Sequence, residues 1–194
     1  MSSHLREKTR YRVAAVKPVK GVSIALAAVM ISLAIFAVVV PSAAGLRPAI
    51  LFGWLAVLSG LTHVTYALAA ENAPTFLYGA LVGAAYALGG VYLAVNPTLE
   101  WEPLILVLSA IFLAEGILEF VLFFELRARP RSAWILFNSL TAVILGSVIW
   151  RTSLAASTSA VGLITGVNLF VGGFSRLMQS TFARRPLRLV ASSE

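Results

Sequence analysis

Residue types that build catalytic and metal sites are scarce in this chain of 194 residues. It has no cysteine, which excludes disulfides, thiol catalysis and cysteine metal sites. It also has no aspartate, and His4 and His63 are its only histidines. These residues leave almost nothing from which to build a metal centre or a catalytic triad. We therefore expect no metal, no cofactor and no enzymatic activity.

Charge is also scarce. Charged residues make up 12% of the chain and hydrophobic residues 59%, with a mean hydropathy of +0.90. Such a chain is too apolar for a soluble domain and matches the membrane class. A net charge of +7 is compatible with nucleic-acid binding, but the basic residues lie at the ends of apolar segments, where membrane topology explains them better. We expect membrane lipid as partner and no nucleic acid, and leave a homo-oligomer open.

The most informative stretch runs from Leu104 to Phe124 and is apolar apart from Glu115, Glu119 and a few small residues. As a helix it is about 32 Å long, close to the thickness of a bilayer hydrocarbon core. An ionised carboxylate in the middle of such a span costs about 2.5 to 3.5 kcal/mol on insertion scales. The two glutamates are therefore expected to face protein or water rather than lipid.

Five further apolar runs of similar length predict a protein with six transmembrane helices. We predict helices because only helices and closed barrels satisfy the hydrogen bonds of all backbone groups in lipid, and the runs lack the alternating polarity of barrel strands. The first run is longer than the apolar region of a signal peptide, which has roughly 7 to 15 residues, so we take it as a retained span. The six runs cover positions 21–40, 49–69, 77–95, 104–124, 133–150 and 156–180.

The distribution of lysine and arginine predicts the orientation. Thirteen of the fifteen fall on the side that holds residues 1–20, the loop near Arg127 and residues 183–194, and only Arg47 and Arg151 fall on the other. Because basic residues collect on the cytoplasmic side, both basic termini are predicted to be cytoplasmic. The membrane domain between them spans residues 21–182.

The chain contains three copies of one pattern at a constant spacing. The repeats cover about residues 21–76, 77–132 and 133–182, each one helical hairpin. Small residues coincide and lie seven apart on one face of each helix, which predicts close helix packing. The coinciding sets are Ala27, Gly83 and Ser139; Ala34, Gly90 and Gly146; Gly53, Ser109 and Thr165; and Gly60, Gly116 and Gly172.

Proline at the outer turn, followed at a fixed spacing by glycine in the next helix, gives the chain a family resemblance. Pro41 is followed by Gly60, and Pro97 by Gly116. Over about residues 20–182 the chain resembles the HdeD family of small bacterial acid-resistance membrane proteins. The third repeat departs from the pattern, with Ser153 in place of the proline. The resemblance implies an inner-membrane protein of six spans linked to survival of acid, with no catalytic residues to carry over.

The repeat places the few ionisable residues of the spans at similar depth. His63 and Glu119 each follow the glycine of their helix by three positions, and Arg176 follows by four. Glu115 lies one turn from Glu119. If the repeats surround a common axis, these four residues converge as a cluster that senses acid or relays protons. Two glutamates so close in a low dielectric repel each other, so at least one is expected to be protonated.

Two other interpretations of this cluster stay open. In one it is purely structural, with an ion pair between Glu119 and Arg176, a hydrogen-bonded His63 and a protonated Glu115. In the other it belongs to a small transporter or proton and ion conduit, which needs a continuous wettable path. An enzyme is least favoured, because no nucleophile lies beside a base. Asn138 and Asn168 are predicted to form hydrogen bonds between helices.

Overall fold

The computed structural model describes residues 17–43, 47–70, 72–99, 101–128, 132–151 and 157–181. These residues form six α-helices, and no strand occurs among them. The predicted basic termini fall almost entirely outside the described residues, apart from the first turn of the first helix. In chain order the helices are α1 (Lys17–Ala43), α2 (Pro48–Leu68), α3 (Ala73–Val95), α4 (Trp101–Leu126), α5 (Ser132–Arg151) and α6 (Thr158–Thr181).

All six helices are long and apolar enough to cross a membrane. Large apolar side chains cover their outer faces, and Leu68 and Leu88 are about three-quarters exposed, at 75% and 74%. In water such a surface marks a binding patch or an aggregation liability, whereas in a bilayer it is the surface that meets lipid. The chain is an all-α, multi-pass membrane protein with six transmembrane helices, as predicted.

Local sequence signals set the helix boundaries. Pro48 opens α2, where its missing N–H is not needed by the helix. The side chain of Asn72 caps α3 by accepting a hydrogen bond from the backbone N–H of Thr75 at 3.0 Å. After α3, a turn closes with a hydrogen bond from Leu99 N–H to the Asn96 carbonyl at 3.2 Å. These short connections make consecutive helices antiparallel.

The six helices form a closed ring. Each packs on its neighbours in sequence, and α1 closes the ring by packing against α6. The three most extensive interfaces are α2 with α3, α4 with α5, and α6 with α1, whereas the interfaces between the two helices of each repeat are smaller. The predicted hairpins are therefore present, but the closest contacts join one repeat to the next.

Glycines at these three interfaces bring helix backbones into contact. A Cβ atom on Gly60 would lie 2.8 Å from the Gly83 carbonyl oxygen, and one on Gly90 would lie 2.7 Å from the Gly53 carbonyl oxygen. A Cβ on Gly116 would lie 2.9 Å from the Ser139 carbonyl oxygen. Real Cβ atoms almost never lie so close to backbone atoms, so a larger residue at these positions would push the two helices apart. The small-residue stripe pairs helices as proposed.

The third interface corrects the predicted register by a single position. The sequence alignment equates Gly172 with Gly60 and Gly116, but a Cβ on Gly172 would make only ordinary contacts, the nearest at 3.4 Å. Gly173 is the residue against α1, where a Cβ would lie 3.1 Å from the Ala27 carbonyl oxygen. The two glycines are adjacent, and the one that faces α1 forms the crossing. Gly146 has the expected role, since a Cβ there would lie 3.2 Å from the Leu113 nitrogen.

This shift brings the polar residues of the three repeats into one register. His63, Glu119 and Arg176 each lie three positions after the crossing glycine of their helix, which is Gly60, Gly116 or Gly173. If Gly172 were the equivalent glycine, as the constant repeat spacing predicts, Ser175 would take this position instead. Three equivalent positions on α2, α4 and α6 therefore hold a histidine, a carboxylate and a guanidinium.

Candidate functional site

A cluster of polar side chains occupies the interior of the ring. His63 is 0% exposed, Glu115 1%, and Glu119 and Arg176 6% each. Burying a charge is costly unless it is paired and hydrogen-bonded. The contacts of these four side chains therefore decide whether each one is charged. All six helices contribute to the polar cluster, whose members are Met30, His63, Tyr66, Tyr78, Tyr86, Glu115, Glu119, Asn138, Asn168 and Arg176.

Glu115 accepts two hydrogen bonds on one carboxylate oxygen. The Tyr86 hydroxyl donates to Oε2 at 2.6 Å, and Asn168 Nδ2 donates to the same oxygen at 2.9 Å. The other oxygen, Oε1, lies 3.8 Å from His63 Nε2. Two donors at short distance are the environment that an ionised carboxylate needs when it leaves water.

Glu119 has one donor for each oxygen. The Tyr78 hydroxyl donates to Oε1 at 2.9 Å, and Asn138 Nδ2 donates to Oε2 at 2.5 Å. The donors come from α3 and α5, so the carboxylate of α4 is held from both sides. A buried carboxylate with both oxygens bonded is part of a complete polar network rather than an isolated charge.

Arg176 reaches His63 rather than either carboxylate. Its Nη2 lies 2.8 Å from His63 Nδ1 and 3.1 Å from Nε2, and its Nη1 contacts the Met30 sulfur. The guanidinium also lies over the Tyr66 ring, 5.2 Å from its centroid. Because arginine has donors and no acceptor, the imidazole has to accept from it, and His63 is neutral in this arrangement.

Tyr86 connects the histidine to the carboxylate. Its ring stacks on the His63 ring with centroids 5.3 Å apart and planes at 15°. Its hydroxyl donates to Glu115 and accepts from Asn168 Nδ2 at 3.1 Å. A shift of the imidazole therefore disturbs a side chain that is bonded directly to Glu115.

The structure brings together all four residues of the cluster predicted from sequence. The predicted alternative of an ion pair between Glu119 and Arg176 does not form; among the described residues, Arg176 bonds to His63. Asn138 and Asn168 do form hydrogen bonds between helices. Reasoning from sequence missed Tyr78 and Tyr86, although a buried tyrosine hydroxyl in a span rich in small residues requires a partner.

Three buried oxygens of this region meet no hydrogen-bond partner among the described residues: Asn138 Oδ1, Asn168 Oδ1 and Thr165 Oγ1. Such atoms are uncommon in native interiors and call for an explanation. In the part of the chain that the structure describes, no group of three or more histidine or carboxylate side chains is placed to hold a metal ion.

Comparison with known families gives one result. The model of a short repeat of unknown function, DUF308, matches twice, over residues 25–95 and over residues 81–151. The two matches have the same length, and the offset between them equals the offset between the internal repeats that begin at Gly21 and Leu77. No curated protein and no solved structure matches the chain.

Proposed function

Because the chain belongs to the DUF308 family of short repeats, we propose that it acts in the bacterial inner membrane as a protein of the HdeD type. Its role is non-enzymatic resistance to acid or envelope stress. Both termini lie in the cytoplasm, an orientation supported by thirteen basic residues on that side against two on the other. Its main partner is membrane lipid.

One observation carries the acid-response part of this proposal: His63 lies within 3.8 Å of Glu115 and 2.8 Å of Arg176, and Glu119 is buried in the same polar cluster inside the membrane domain. Ionisable residues within transmembrane segments are expensive and are functional candidates by default. Apolar residues of similar volume would pack the ring without this cost.

The proposed response starts at His63, which cannot hold its present contact and a second proton together. Protonation converts the ring nitrogen that accepts from Arg176 into a donor, and the two cations then repel each other. The protonated ring is attracted to Glu115 Oε1, already 3.8 Å away. Acid therefore exchanges a hydrogen bond between α2 and α6 for an ion pair between α2 and α4.

Other groups around His63 shape this exchange. Tyr86 of α3 covers one face of the ring, Arg176 of α6 touches its nitrogens, and Glu115 of α4 is the nearest carboxylate. Tyr78 of α3 approaches at 6.2 Å between ring centroids. Movement of the His63 imidazole therefore disturbs side chains on α3, α4 and α6, so its protonation changes how these helices pack.

The experiment is acid-challenge survival of a strain that lacks the protein, complemented with the wild type or with Glu115→Gln and Glu119→Gln combined. Glutamine keeps the size of the side chain and removes its ionisation. We expect the double variant to survive no better than the deletion strain. The matched control is Glu125→Gln, an exposed glutamate at the end of the same helix, which should restore survival.

Protein level in the membrane must be measured beside survival, so that loss of folding is separated from loss of response. Normal survival of the double variant at normal protein level would show that the cluster has no acid role. A deletion strain as resistant as its parent would refute the acid-resistance function itself.

A further inference from the structure

The polar cluster lies much closer to one end of the ring than to the other. Because consecutive helices are antiparallel, the turns at Asn72 and Pro97 lie at opposite ends, which we call the Asn72 end and the Pro97 end. Along its helix axis, His63 is about 8 Å from the Asn72 end of α2 and about 22 Å from the Pro97 end. Glu119 and Arg176 are about 8 to 10 Å from the Asn72 end of their helices and about 27 Å from the other.

Toward the Pro97 end, the polar groups are replaced by apolar ones at a fixed spacing. Seven residues make almost two full helical turns, so a side chain seven positions further points in the same direction, about 10 Å away. Tyr86, Glu115 and Asn168 are joined by hydrogen bonds into the ring interior. Seven positions from them toward the Pro97 end lie, in the same order, Leu93, Leu108 and Val161.

The other three helices complete an apolar layer at this level. Ala37 lies seven positions beyond Met30, and Phe52 and Ile149 lie eleven positions, or about three turns, beyond His63 and Asn138. The apolar layer therefore has one member from each helix, each 0 or 1% exposed and all in one hydrophobic cluster: Ala37, Phe52, Leu93, Leu108, Ile149 and Val161.

The buried hydroxyls near the apolar layer do not connect the cluster to the Pro97 end. Ser59 donates to the Leu55 carbonyl of its own helix at 2.8 Å, and Ser109 donates to the Leu106 carbonyl at 3.0 Å. Thr165 lies four positions from the layer, on the side of the cluster. The fully buried ring of Phe112 fills the space between the layer and Tyr86, with ring centroids 6.4 Å apart.

Toward the Asn72 end, polar side chains continue from the cluster to the surface. Gln179 lies one turn beyond Arg176 and is half-buried. Its Nε2 donates to Ser175 Oγ at 3.1 Å, and Ser175 donates to the Trp134 carbonyl at 2.9 Å. Tyr66, also half-buried, lies beneath the Arg176 guanidinium. These side chains extend the polar region by a further turn toward this end.

Exposure within the cluster falls in the same direction. Tyr78 and Glu119, which bond to each other nearer the Asn72 end, are 5% and 6% exposed. Tyr86 and Glu115, the corresponding pair on the same two helices but deeper in the ring, are 2% and 1% exposed. The cluster therefore becomes drier with distance from the Asn72 end and stops at the apolar layer.

We propose that protons reach the polar cluster from the Asn72 end alone, so that the protein responds to acid on one side of the membrane only. The inference rests on the proposed function, because it names the side from which His63 is protonated. With the predicted orientation, that side is the cytoplasm.

The titratable and charged groups that face His63 come from three helices. They are Tyr78 and Tyr86 of α3, Glu115 and Glu119 of α4, and Arg176 of α6. The members that α1 and α5 add to the cluster, Met30 and Asn138, do not titrate. All of these groups lie on the same side of the apolar layer, so one-sided access applies to the whole cluster.

The test compares acid applied at each end of the ring. The chain has no cysteine, so Ala128→Cys marks the Asn72 end and Thr98→Cys the Pro97 end. Each full-length variant is reconstituted into sealed phosphatidylcholine vesicles that hold at most one molecule, and outward cysteines are labelled with an impermeant biotin maleimide. Capture on streptavidin then gives two pools, each with a single orientation.

The external medium of each pool is acidified in steps from pH 8 to pH 4 while tryptophan fluorescence is recorded. Trp134 reports on the site because its carbonyl accepts the Ser175 hydrogen bond. A protonophore added last brings both sides to the same pH and gives the full change. We expect the Ala128→Cys pool to show the full change before the protonophore, and the Thr98→Cys pool to show it only afterwards.

A change in the Thr98→Cys pool before the protonophore, or none in the Ala128→Cys pool until it is added, would overturn the proposal. The absence of any change in both pools after the protonophore would instead refute the protonation response of the proposed function. His63→Gln should abolish the change in both pools, and Glu125→Gln, an exposed glutamate, should keep it. A change that His63→Gln retains would refute the starting point at His63 and leave the one-sided access to the comparison of the pools.

Opening the apolar layer should admit acid from the other end. Leu108→Gln keeps most of the volume and places in the layer an amide that requires water or another partner. In the Thr98→Cys pool, we expect this variant to respond before the protonophore. The control is Leu106→Gln, since Leu106 is 54% exposed on the outer face of the same helix. If Leu108→Gln fails to fold, Val161→Thr adds a hydroxyl to the layer with little change of shape. A layer variant that folds and still responds only after the protonophore would overturn the role of the layer as the barrier.

Discussion

Replacing Arg176 by methionine tests whether the polar cluster is held together by charge. Methionine keeps much of the length and removes the guanidinium, which leaves two carboxylates and the His63 acceptor without their cation. Removing one partner from a buried charge pair typically costs about 3 to 5 kcal/mol. The tyrosine and asparagine donors stay in place and continue to stabilise the carboxylates, so we expect the lower end of this range. For a protein of this size, that corresponds to a fall in melting temperature of roughly 6 to 12 °C.

The assay is a thermal melt of the purified full chain in detergent micelles at pH 8, followed by tryptophan fluorescence. Arg176→Met combined with Glu115→Gln should recover part of the loss, because the second change removes one uncompensated charge. Arg151→Met is the control, since that arginine is exposed at the end of α5 and should not shift the melting temperature. A single Arg176→Met variant as stable as the wild type would show that the guanidinium does not balance the cluster. Additive effects in the double variant would exclude their coupling.

Two further predictions concern helix packing and orientation. Gly83→Ala should destabilise the protein by about 1 to 3 kcal/mol, because its Cβ would lie 2.7 Å from Val64 Cγ2 and 3.0 Å from the Gly60 carbonyl oxygen. A melting temperature equal to that of the wild type would show that stability does not depend on this close packing of α2 against α3. The chain has no native cysteine, so single cysteines at Ala128 and Thr98 can be labelled with an impermeant maleimide. We expect Thr98→Cys to be labelled in intact cells and Ala128→Cys only after lysis, and the reverse pattern would invert the topology.

The sequence was sufficient for the architecture because the bilayer restricts the choice of structure so strongly. Six apolar runs, each long enough to cross the hydrocarbon core, predict six helices, and the observed helices contain them almost entirely. The observed helices extend further at several ends, as at Lys17 and Trp101, because hydropathy marks the part in lipid and not the whole helix. The internal repeat could also be identified from the sequence, since small residues recur at the positions where helix backbones come into contact.

The contacts within the polar cluster could not be predicted from the sequence. An ungapped alignment cannot choose between the adjacent Gly172 and Gly173, and that choice decides whether Ser175 or Arg176 is equivalent to Glu119. The partners of the carboxylates depend on which helices are neighbours, and Tyr86 reaches Glu115 only because α3 packs beside α4 in the ring. The hydrophobicity of a span does not determine which helices it packs against or which of its faces points into the ring.

The interface between α1 and α6 has a consequence for how the protein is made. Helix α1 is synthesised well before its main partner α6, since Ala27 lies against Gly173 and nearly the whole membrane domain is made between them. At typical translation speeds this delay is roughly 7 to 30 seconds. Throughout it, the small-residue face of α1 is open to other helices in the membrane, so the insertion machinery or a neighbouring nascent chain has time to engage it before the circle of helices is complete.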